Sequence, residues 1–218
     1  LAQQQTRAAG FNAILAHPSA DGSQERLLAL TDYPLVCYAY RVMGNADENG
    51  WRKDGWIKDV ADGCVYNPEL RQKAVDNILG RIKAVIPYGP SLYSLGDENF
   101  FDYKSGFSPT GREAFRKFVQ TQYASLADLN RVWGTSYGDW SQVELLPREE
   151  ALRRGMWAMI HDHMAFNETE YADYHHLLAA AIKQADPHAW VGAEGSVPGD
   201  LEKTIRGSYP KPKMMILG

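Results

Sequence analysis

Short apolar runs alternate with helical segments along this chain, and this alternation restricts the fold more than any other feature. The runs are Phe11–Leu15, Pro34–Tyr40, Leu92–Leu95 and Trp190–Ala193. The second run is rich in β-branched and aromatic residues without polar alternation, which suits a strand covered on both faces. We therefore predict an α/β fold in which these four runs form parallel strands and helices connect them.

The helices are predicted from apolar spacing together with start and stop signals. The signals are N-cap residues, proline in the first turn, capping boxes and C-terminal glycine. In chain order the predicted helices are Gln3–Ala9, Ser23–Leu30, one that begins at Asn67, one with a Thr110/Glu113 capping box, one with a Ser125/Asp128 box that ends at Gly134, and a long helix from Arg148 to Gln184 broken near Asn167.

Composition and charge exclude several classes of function. The chain has 218 residues and a net charge of −4, so it lacks the basic excess that favours nucleic acid or an anionic membrane surface. No apolar run approaches the roughly 18 residues of a membrane-spanning helix. Cys37 and Cys64 are too few for a disulfide framework or a four-thiolate zinc site. We expect one domain over residues 1–218, with neither nucleic acid nor membrane as a partner.

The N-terminal sequence LAQQQTRAAG lacks the charged and apolar regions of a signal peptide. It is typical of the end of a helix. We therefore expect the chain to begin inside a domain.

A polar side chain follows each predicted strand. The carboxyl ends of parallel strands meet at one edge of the sheet, where α/β enzymes carry their chemistry. The candidates are His17 after the first strand, Arg41 after the second, Asp97, Glu98 and Asn99 after the third, and Glu194 after the fourth.

Glu98 is the strongest candidate for catalysis. It lies beside Asp97 and is followed closely by Phe100 and Phe101. A neighbouring carboxylate and apolar surroundings raise the pKa of a carboxylic acid, which can then protonate a leaving-group oxygen near neutral pH. A solvated pair of loop carboxylates would give the same local sequence, so position alone leaves both interpretations open.

A long loop is predicted from Gly44 to Asp62, and it contains Trp51 and Trp56. Long loops in compact domains are more often functional than idle. Flat aromatic rings can pack against the apolar faces of sugars, although a place in the core is the commoner role of a single ring.

Two pairs of histidines are weaker candidates. His161 and His163 are two positions apart, so on a helix they do not face one another, and we predict no metal site there. We place His175 and His176 on a helix surface. Glu194 has three interpretations: an acceptor for a sugar hydroxyl, the second catalytic carboxylate, or an ordinary loop carboxylate.

Several segments resemble glycoside hydrolases. SLGDENFF, from Ser94 to Phe101, is similar to the strand-four motif of clan A, in which an Asn-Glu pair ends the strand. AFRKFVQTQYASLADLNRVWGTSYGDWSQVELLP, residues 114–147, resembles the segment after the acid/base Glu in family 42 β-galactosidases. YNPELR, residues 66–71, is similar to the helix start ahead of that strand. The resemblance covers residues 8–196, and its Trp-Gly-Thr block is specific.

This resemblance implies an incomplete (β/α)8 TIM barrel, with about strands two to five and their helices, that cleaves terminal β-linked sugars with retention. Glu98 would be the general acid/base. A retaining mechanism needs two carboxyl groups ~5–5.5 Å apart. Related enzymes carry the second group, the nucleophile, on strand seven, and we expect that strand beyond Gly218. Carbohydrate is the expected partner, and the family suggests a homo-oligomer.

The chain departs from the family pattern at two places. Asp97 stands where the family has Asn; an ionised Asp accepts but cannot donate a hydrogen bond to the sugar's 2-hydroxyl. The sequence that follows Glu98 and Asn99, FFDYKSGFSP, lacks the zinc-binding cysteines of many family members. We therefore predict no zinc and no other cofactor. Asp97 also keeps two alternatives open, a retaining β-glycosidase of other specificity, such as a β-mannosidase, and a non-catalytic carbohydrate-binding barrel.

Overall fold

The computed structural model describes residues 2–19, 21–30, 34–39, 66–97, 105–194 and 214–216. Several sequence predictions fall outside these described residues. They are Arg41, Glu98 and Asn99, the Gly44–Asp62 loop with Trp51 and Trp56, and Cys64.

The predicted parallel sheet is confirmed. Its strands are β1 (Ile14–Ala16), β2 (Leu35–Tyr38), β3 (Leu92–Asp97), β4 (Trp190–Glu194) and β5 (Met214–Ile216). They lie in the order β1-β2-β3-β4-β5; the first four are mutually parallel, and β5 pairs antiparallel with β4. No sequence pattern predicts this last strand, which lies in the tail after residue 205.

Helices precede or connect these strands. They are α1 (Ala2–Ala8), α2 (Ser23–Leu30), α3 (Pro68–Ile82), α4 (Pro109–Gln122), α5 (Leu126–Trp133), α6 (Arg148–Arg153) and α7 (Trp157–Ala185). Within the described parts of the chain, no helix is long and apolar enough to cross a membrane.

Two of the helix predictions need correction. Helix α4 begins at Ser108, whose hydroxyl accepts from the backbone N–H of Gly111, rather than at Thr110. The long helix is not broken near Asn167. Its break lies at Gly155, where φ is +70°, and Asn167 stays helical because its side-chain oxygen accepts from the hydroxyl of Tyr66 instead of competing with the helix backbone.

The first strand also differs from its prediction. It begins at Ile14 rather than Phe11, and Leu15 is 45% exposed. β1 is the edge strand of the described sheet, and the face that carries Leu15 lacks the cover that the apolar sequence suggested.

The main core lies between β2–β4 and the helices that follow them. Ala74, Ile78 and Ile82 of α3 are fully buried, as their helical spacing predicts, and so is Val85, which follows the helix. The largest fully buried side chains come from strand β3 and helices α3, α4, α5 and α7, together with the loop before α6; they are Tyr93, Tyr174, Phe115, Phe166, Ile78, Ile82, Leu95, Leu129, Leu145 and Met159. Burial of a side chain of this kind contributes about 1.5–3 kcal/mol, so this cluster fixes the helices against the sheet.

Candidate functional site

The carboxyl ends of four strands meet at one edge, because β1 to β4 run in the same direction. The last residues of β3 and β4, Asp97 and Glu194, are direct partners in the pairing register. Two of the predicted site residues are therefore brought together on neighbouring strands. Glu98 follows Asp97 in the chain and lies outside the described residues, as do Arg41 and Asn99.

A β-bulge immediately precedes these paired residues. Ser94 pairs with Gly192 and Asp97 with Glu194, so β3 has one more residue than β4 in this interval. Gly96 supplies the conformation that the bulge requires, with φ of +114°, and its N–H donates to Oγ of Ser94 over 3.2 Å. Bulges bend a strand locally and are common beside active sites.

His17 lies at the same edge, at the end of β1. Its side chain is exposed, and its ring centroid is 4.7 Å from that of Tyr38, which ends β2. The loop that follows His17 is fixed by Glu25 of α2. This carboxylate is 1% exposed and accepts hydrogen bonds from the backbone N–H and the hydroxyl of Ser19.

A buried hydrogen-bonded group lies at two points where the described part of the chain resumes. Tyr66 follows residues 40–65, and Ser105 follows residues 98–104. The Tyr66 hydroxyl donates to Oδ1 of Asn167 over 3.1 Å, and Nε2 of His163 lies 2.7 Å from the carbonyl oxygen of Ser105. The Asn167 amide nitrogen is 3.2 Å from the same imidazole nitrogen. We call these four residues the loop anchor.

The protonation of His163 follows from its partner. A carbonyl oxygen can only accept, so Nε2 of His163 carries the proton that is donated to Ser105. Burial lowers the pKa of His163 to about 4, against the opposing effect of the Ser105 hydrogen bond. The ring is therefore neutral at physiological pH. It is also packed edge-on against the rings of Phe107 and Phe115.

The Trp-Gly-Thr block, residues 133–135, contacts α7. The indole of Trp133 is 4% exposed, and its N–H donates to the Asp162 carboxylate, which also accepts from the Tyr123 hydroxyl. Gly134 ends α5 in the left-handed conformation, as predicted. The specific part of the motif thus fastens the α4–α5 segment to α7.

Among the described residues, no group of three or more His, Cys, Asp or Glu side chains is placed to hold a metal ion. His161 is exposed, whereas His163 is buried and bonded to Ser105. The prediction that His175 lies on a helix surface is wrong: it is fully buried and bonds to the carbonyl of Tyr171, while His176 is exposed.

The loop anchor is not among the predictions from sequence. There, His163 enters only as half of a metal pair and Asn167 only as a helix break. A usable signal was their spacing: four positions apart on a helix, they lie on the same face as Phe166 and Met159, which belong to the core.

Comparison with known proteins identifies the family. The family model for β-galactosidases of glycoside hydrolase family 42 matches residues 59–200, more than half of the chain. No curated protein sequence gives a significant match.

Solved structures show the fold. A β-galactosidase from Rahnella sp. R3 superposes with a TM-score of 0.63 at 16% identity, over 86% of this chain and 32% of that one. A family 42 β-galactosidase from G. stearothermophilus gives 0.59 at 14% identity, over 88% and 32%. A β-galactosidase from Bacillus circulans sp. alkalophilus gives 0.58 at 15% identity, over 86% and 33%.

The chain spans about a third of the length of these solved relatives. Its parallel strands and helices correspond to part of a TIM barrel, which confirms the predicted fold class. The match over residues 59–200 shows that the chain belongs to glycoside hydrolase family 42.

Proposed function

We propose that this chain forms part of the catalytic barrel of a retaining glycosidase that removes terminal β-linked sugars, with β-galactosides as the first candidates. The pairing of Asp97 with Glu194 at the carboxyl edge carries the proposal. It brings the strand before Glu98 to the edge where barrel enzymes act, directly after a bulge.

In this proposal Glu98 begins as a carboxylic acid. It gives its proton to the glycosidic oxygen as the bond from that oxygen to the anomeric carbon breaks. A second carboxylate forms a bond to the same carbon. Glu98, now a carboxylate, takes a proton from the water molecule that displaces the second carboxylate, which restores both groups.

The other predicted site residues are proposed to bind the sugar. They are Asp97, Asn99, His17, Arg41 and Glu194. The exposed ring of His17 beside Tyr38 offers a polar atom and an aromatic surface together. Glu194, on the strand next to Asp97, is proposed to accept a hydrogen bond from a sugar hydroxyl.

Asp97 bears on which sugar is preferred. The resemblance places Asn at this position, where the amide would donate to the 2-hydroxyl, and a carboxylate can only accept. An enzyme with altered preference, such as a β-mannosidase, and a non-catalytic carbohydrate-binding barrel are the alternatives that this residue favours.

The test uses the complete protein and a panel of aryl β-glycosides: galactoside, mannoside, glucoside and fucoside. We expect hydrolysis of one of them and a loss of about 10²–10⁴-fold in the Glu98→Ala variant, with partial rescue by azide. Glu113→Ala removes an exposed carboxylate on α4 and serves as the matched control, with wild-type activity.

The alternatives give different results. A silent wild type that still binds sugar by calorimetry would support the binding barrel. Hydrolysis with an unimpaired Glu98→Ala variant would contradict the proposed acid/base. If the Asp97→Asn variant gains activity on galactoside relative to the preferred sugar, Asp97 determines specificity.

A further inference from the structure

Helix α2 carries a buried carboxylate on the face that it turns to the sheet. Glu25 is 1% exposed, and Leu28, one turn later on the same face, packs against Leu35 of β2. A carboxylate in such a place costs free energy unless it is hydrogen-bonded. Glu25 accepts from the backbone N–H of Ser19 over 2.9 Å and from the hydroxyl of the same residue. An apolar side chain could fill this position; the two hydrogen bonds to Ser19 are what the carboxylate adds.

The loop between β1 and α2 is fastened through Ser19. Besides its two bonds to Glu25, this residue accepts at its carbonyl oxygen from the backbone N–H of Gly22 over 3.2 Å. Gly22 in turn lies so close to the chain after α3 that an added Cβ would be 2.7 Å from the carbonyl oxygen of Ala84. The loop is therefore held at Ser19 by α2 and at its end by the residues that follow α3.

A short and stiff piece of chain joins Ser19 to His17. Pro18 is the one residue between them. Its ring fixes one of its own backbone torsions and restricts the residue before it to extended conformations. Few free torsions therefore separate Ser19 from the backbone of His17, and the hydrogen bonds to Glu25 restrict where His17 can lie.

His17 and Tyr38 lie on the face of the sheet that is turned away from α2. Ala16 of β1 and Leu35 of β2 belong to the apolar cluster under that helix, and side chains alternate between the two faces along a strand. The positions of His17 and Tyr38 directly follow the registered pair Ala16 and Cys37, and their ring centroids are 4.7 Å apart. We call these two rings the edge platform. The helices of a barrel lie outside its sheet, so the edge platform faces the barrel interior.

We propose that Glu25 is a positioning residue, which holds His17 against Tyr38 through Ser19 and thereby prepares the edge platform to bind the terminal sugar. This rests on the proposed function, in which His17 contacts the sugar. The imidazole offers a hydrogen-bonding nitrogen to a sugar hydroxyl, and the Tyr38 ring offers a flat apolar surface to the sugar face. Glu25 itself is buried between α2 and the sheet and touches no substrate.

The separation of KM from kcat distinguishes positioning from general destabilisation. A side chain that must be ordered during binding weakens the affinity by about 3–10-fold. A contact made equally to the bound substrate and to the transition state changes KM and leaves kcat unchanged. Loss of folded protein has the opposite signature, because it lowers the apparent kcat and leaves KM unchanged.

The experiment compares the complete wild-type protein with Glu25→Met and Glu25→Gln on aryl β-glycosides: galactoside, mannoside, glucoside and fucoside. We expect Glu25→Met to raise KM on the hydrolysed glycoside by about 3–10-fold, with kcat within about twofold of wild type. Ser19 is half-buried, so its released N–H and hydroxyl can reach water and the stability should change little. Glu25→Gln can accept from the Ser19 N–H and donate to its hydroxyl, so we expect a KM close to that of wild type.

A double-mutant cycle shows whether Glu25 acts through His17. His17→Ala should raise KM at least as much as Glu25→Met, because it removes the ring that Glu25 positions. Adding Glu25→Met to His17→Ala should then raise KM by less than about twofold. If the effects of the two substitutions multiply instead, Glu25 acts by another route and the inference is overturned.

Asp162→Asn is the matched control. Asp162 is also a buried helix carboxylate that accepts two hydrogen bonds, but its donors, Trp133 and Tyr123, belong to the α4–α5 segment. This substitution should lower the urea midpoint of unfolding without changing KM.

The outcomes distinguish the two proposals. If the wild type hydrolyses no glycoside and binds neither galactose, mannose, glucose nor fucose by calorimetry, the proposed function fails and this inference fails with it. If the wild type binds a sugar without hydrolysis, the calorimetric Kd takes the place of KM in every comparison. If the wild type is active but KM is unchanged in Glu25→Met or in His17→Ala, only the positioning role fails.

A second variant serves if Glu25→Met does not fold. Ser19→Ala removes the hydroxyl partner of Glu25 at a half-buried position, and we expect a smaller rise in KM that disappears in the His17→Ala background. An unchanged KM in Ser19→Ala, or an effect that persists without His17, would also overturn the inference.

Discussion

The indole N–H of Trp133 donates a hydrogen bond to Oδ2 of Asp162 over 2.8 Å. The Tyr123 hydroxyl donates to the same oxygen over 2.5 Å. The Asp162 carboxylate on α7 thus accepts hydrogen bonds from Trp133 at the end of α5 and from Tyr123, which follows α4. This explains why a Trp belongs in the Trp-Gly-Thr block: its ring packs in the core while its N–H reaches a buried acceptor.

Replacing Asp162 by Leu should destabilise the protein strongly. The Tyr123 hydroxyl would lose its acceptor, and the Trp133 N–H would keep only the Tyr123 oxygen, 3.1 Å away; an unsatisfied buried donor costs about 1–3 kcal/mol. Urea unfolding followed by tryptophan fluorescence measures the change. Asp162→Asn keeps one acceptor oxygen and should lose less, and Glu113→Ala, at an exposed ion pair on α4, should change almost nothing. Equal stability of the Leu and Asn variants would contradict this account.

Alanine substitutions at two glycines should change the stability of the protein in opposite directions. At Gly106 the backbone has φ of +96°, and a methyl group would meet His163, Leu145 and Phe166 at 3.3–3.4 Å. Gly106→Ala should therefore cost more than the roughly 1–2 kcal/mol of the left-handed conformation alone. Gly80 lies inside α3 with nothing within 4 Å of the added methyl, so Gly80→Ala should stabilise by about 0.5–1 kcal/mol. Thermal melts of both variants check the signs.

Acid should destabilise the fold through two buried histidines. Burial lowers the pKa values of His163 and His175 from 6.5 to about 4. Between pH 6.5 and 4 the unfolded chain binds more protons than the folded one, so the free energy of unfolding falls as the pH falls through this window. Each histidine contributes on the order of 3 kcal/mol to this loss.

The check is urea unfolding at pH 7.5, 6.0 and 5.0. His175→Gln removes one titrating group and should flatten the pH dependence relative to wild type. A His176→Gln variant changes the exposed neighbour and should keep the wild-type slope. Identical slopes for all three proteins would show that the buried imidazoles do not govern acid stability.

Cys37 should resist alkylation in the native protein. It is 1% exposed, and burial raises the pKa of its thiol to about 12, so the reactive thiolate is scarce at pH 8. Iodoacetamide treatment followed by peptide mapping should leave Cys37 unmodified in buffer and modify it fully in urea. Rapid labelling without denaturant would mean that β2 opens readily.

The strand–helix order and the helix caps could be predicted because they depend on local signals. Asn67 caps α3 through its side chain, and Ser125 caps α5, both as their sequence contexts predict. The N-cap of α4 at Ser108 could not be predicted from sequence, because Thr110 with Glu113 forms an equally good local capping pattern. Local chemistry allows both starts. Gly111 lies so close to Gly106 that a Cβ added at Gly111 would be 2.8 Å from a backbone carbon of Gly106. This close approach favours the observed start.

The polar partners inside the core could not be predicted from the same signals. His163 and Ser105 are 58 positions apart, and Tyr66 and Asn167 are 101 apart. Nothing near His163 in the sequence distinguishes a buried donor from a surface histidine or a metal ligand. The pairing of Asp97 with Glu194 could be predicted from sequence, because parallel strands bring their carboxyl ends together whatever their separation in the chain.

The hydroxyl of Tyr93 on β3 has a hydrogen-bond acceptor far downstream in the sequence. It donates to Asp186, 93 positions later, at the end of α7, and the ring itself is fully buried. At synthesis rates of 5–20 residues per second, about 5–20 s pass between the emergence of these two residues from the ribosome. β4, the neighbour of β3, emerges later still. The nascent chain therefore carries an open central strand during this interval, and we expect chaperone demand during translation to be concentrated there.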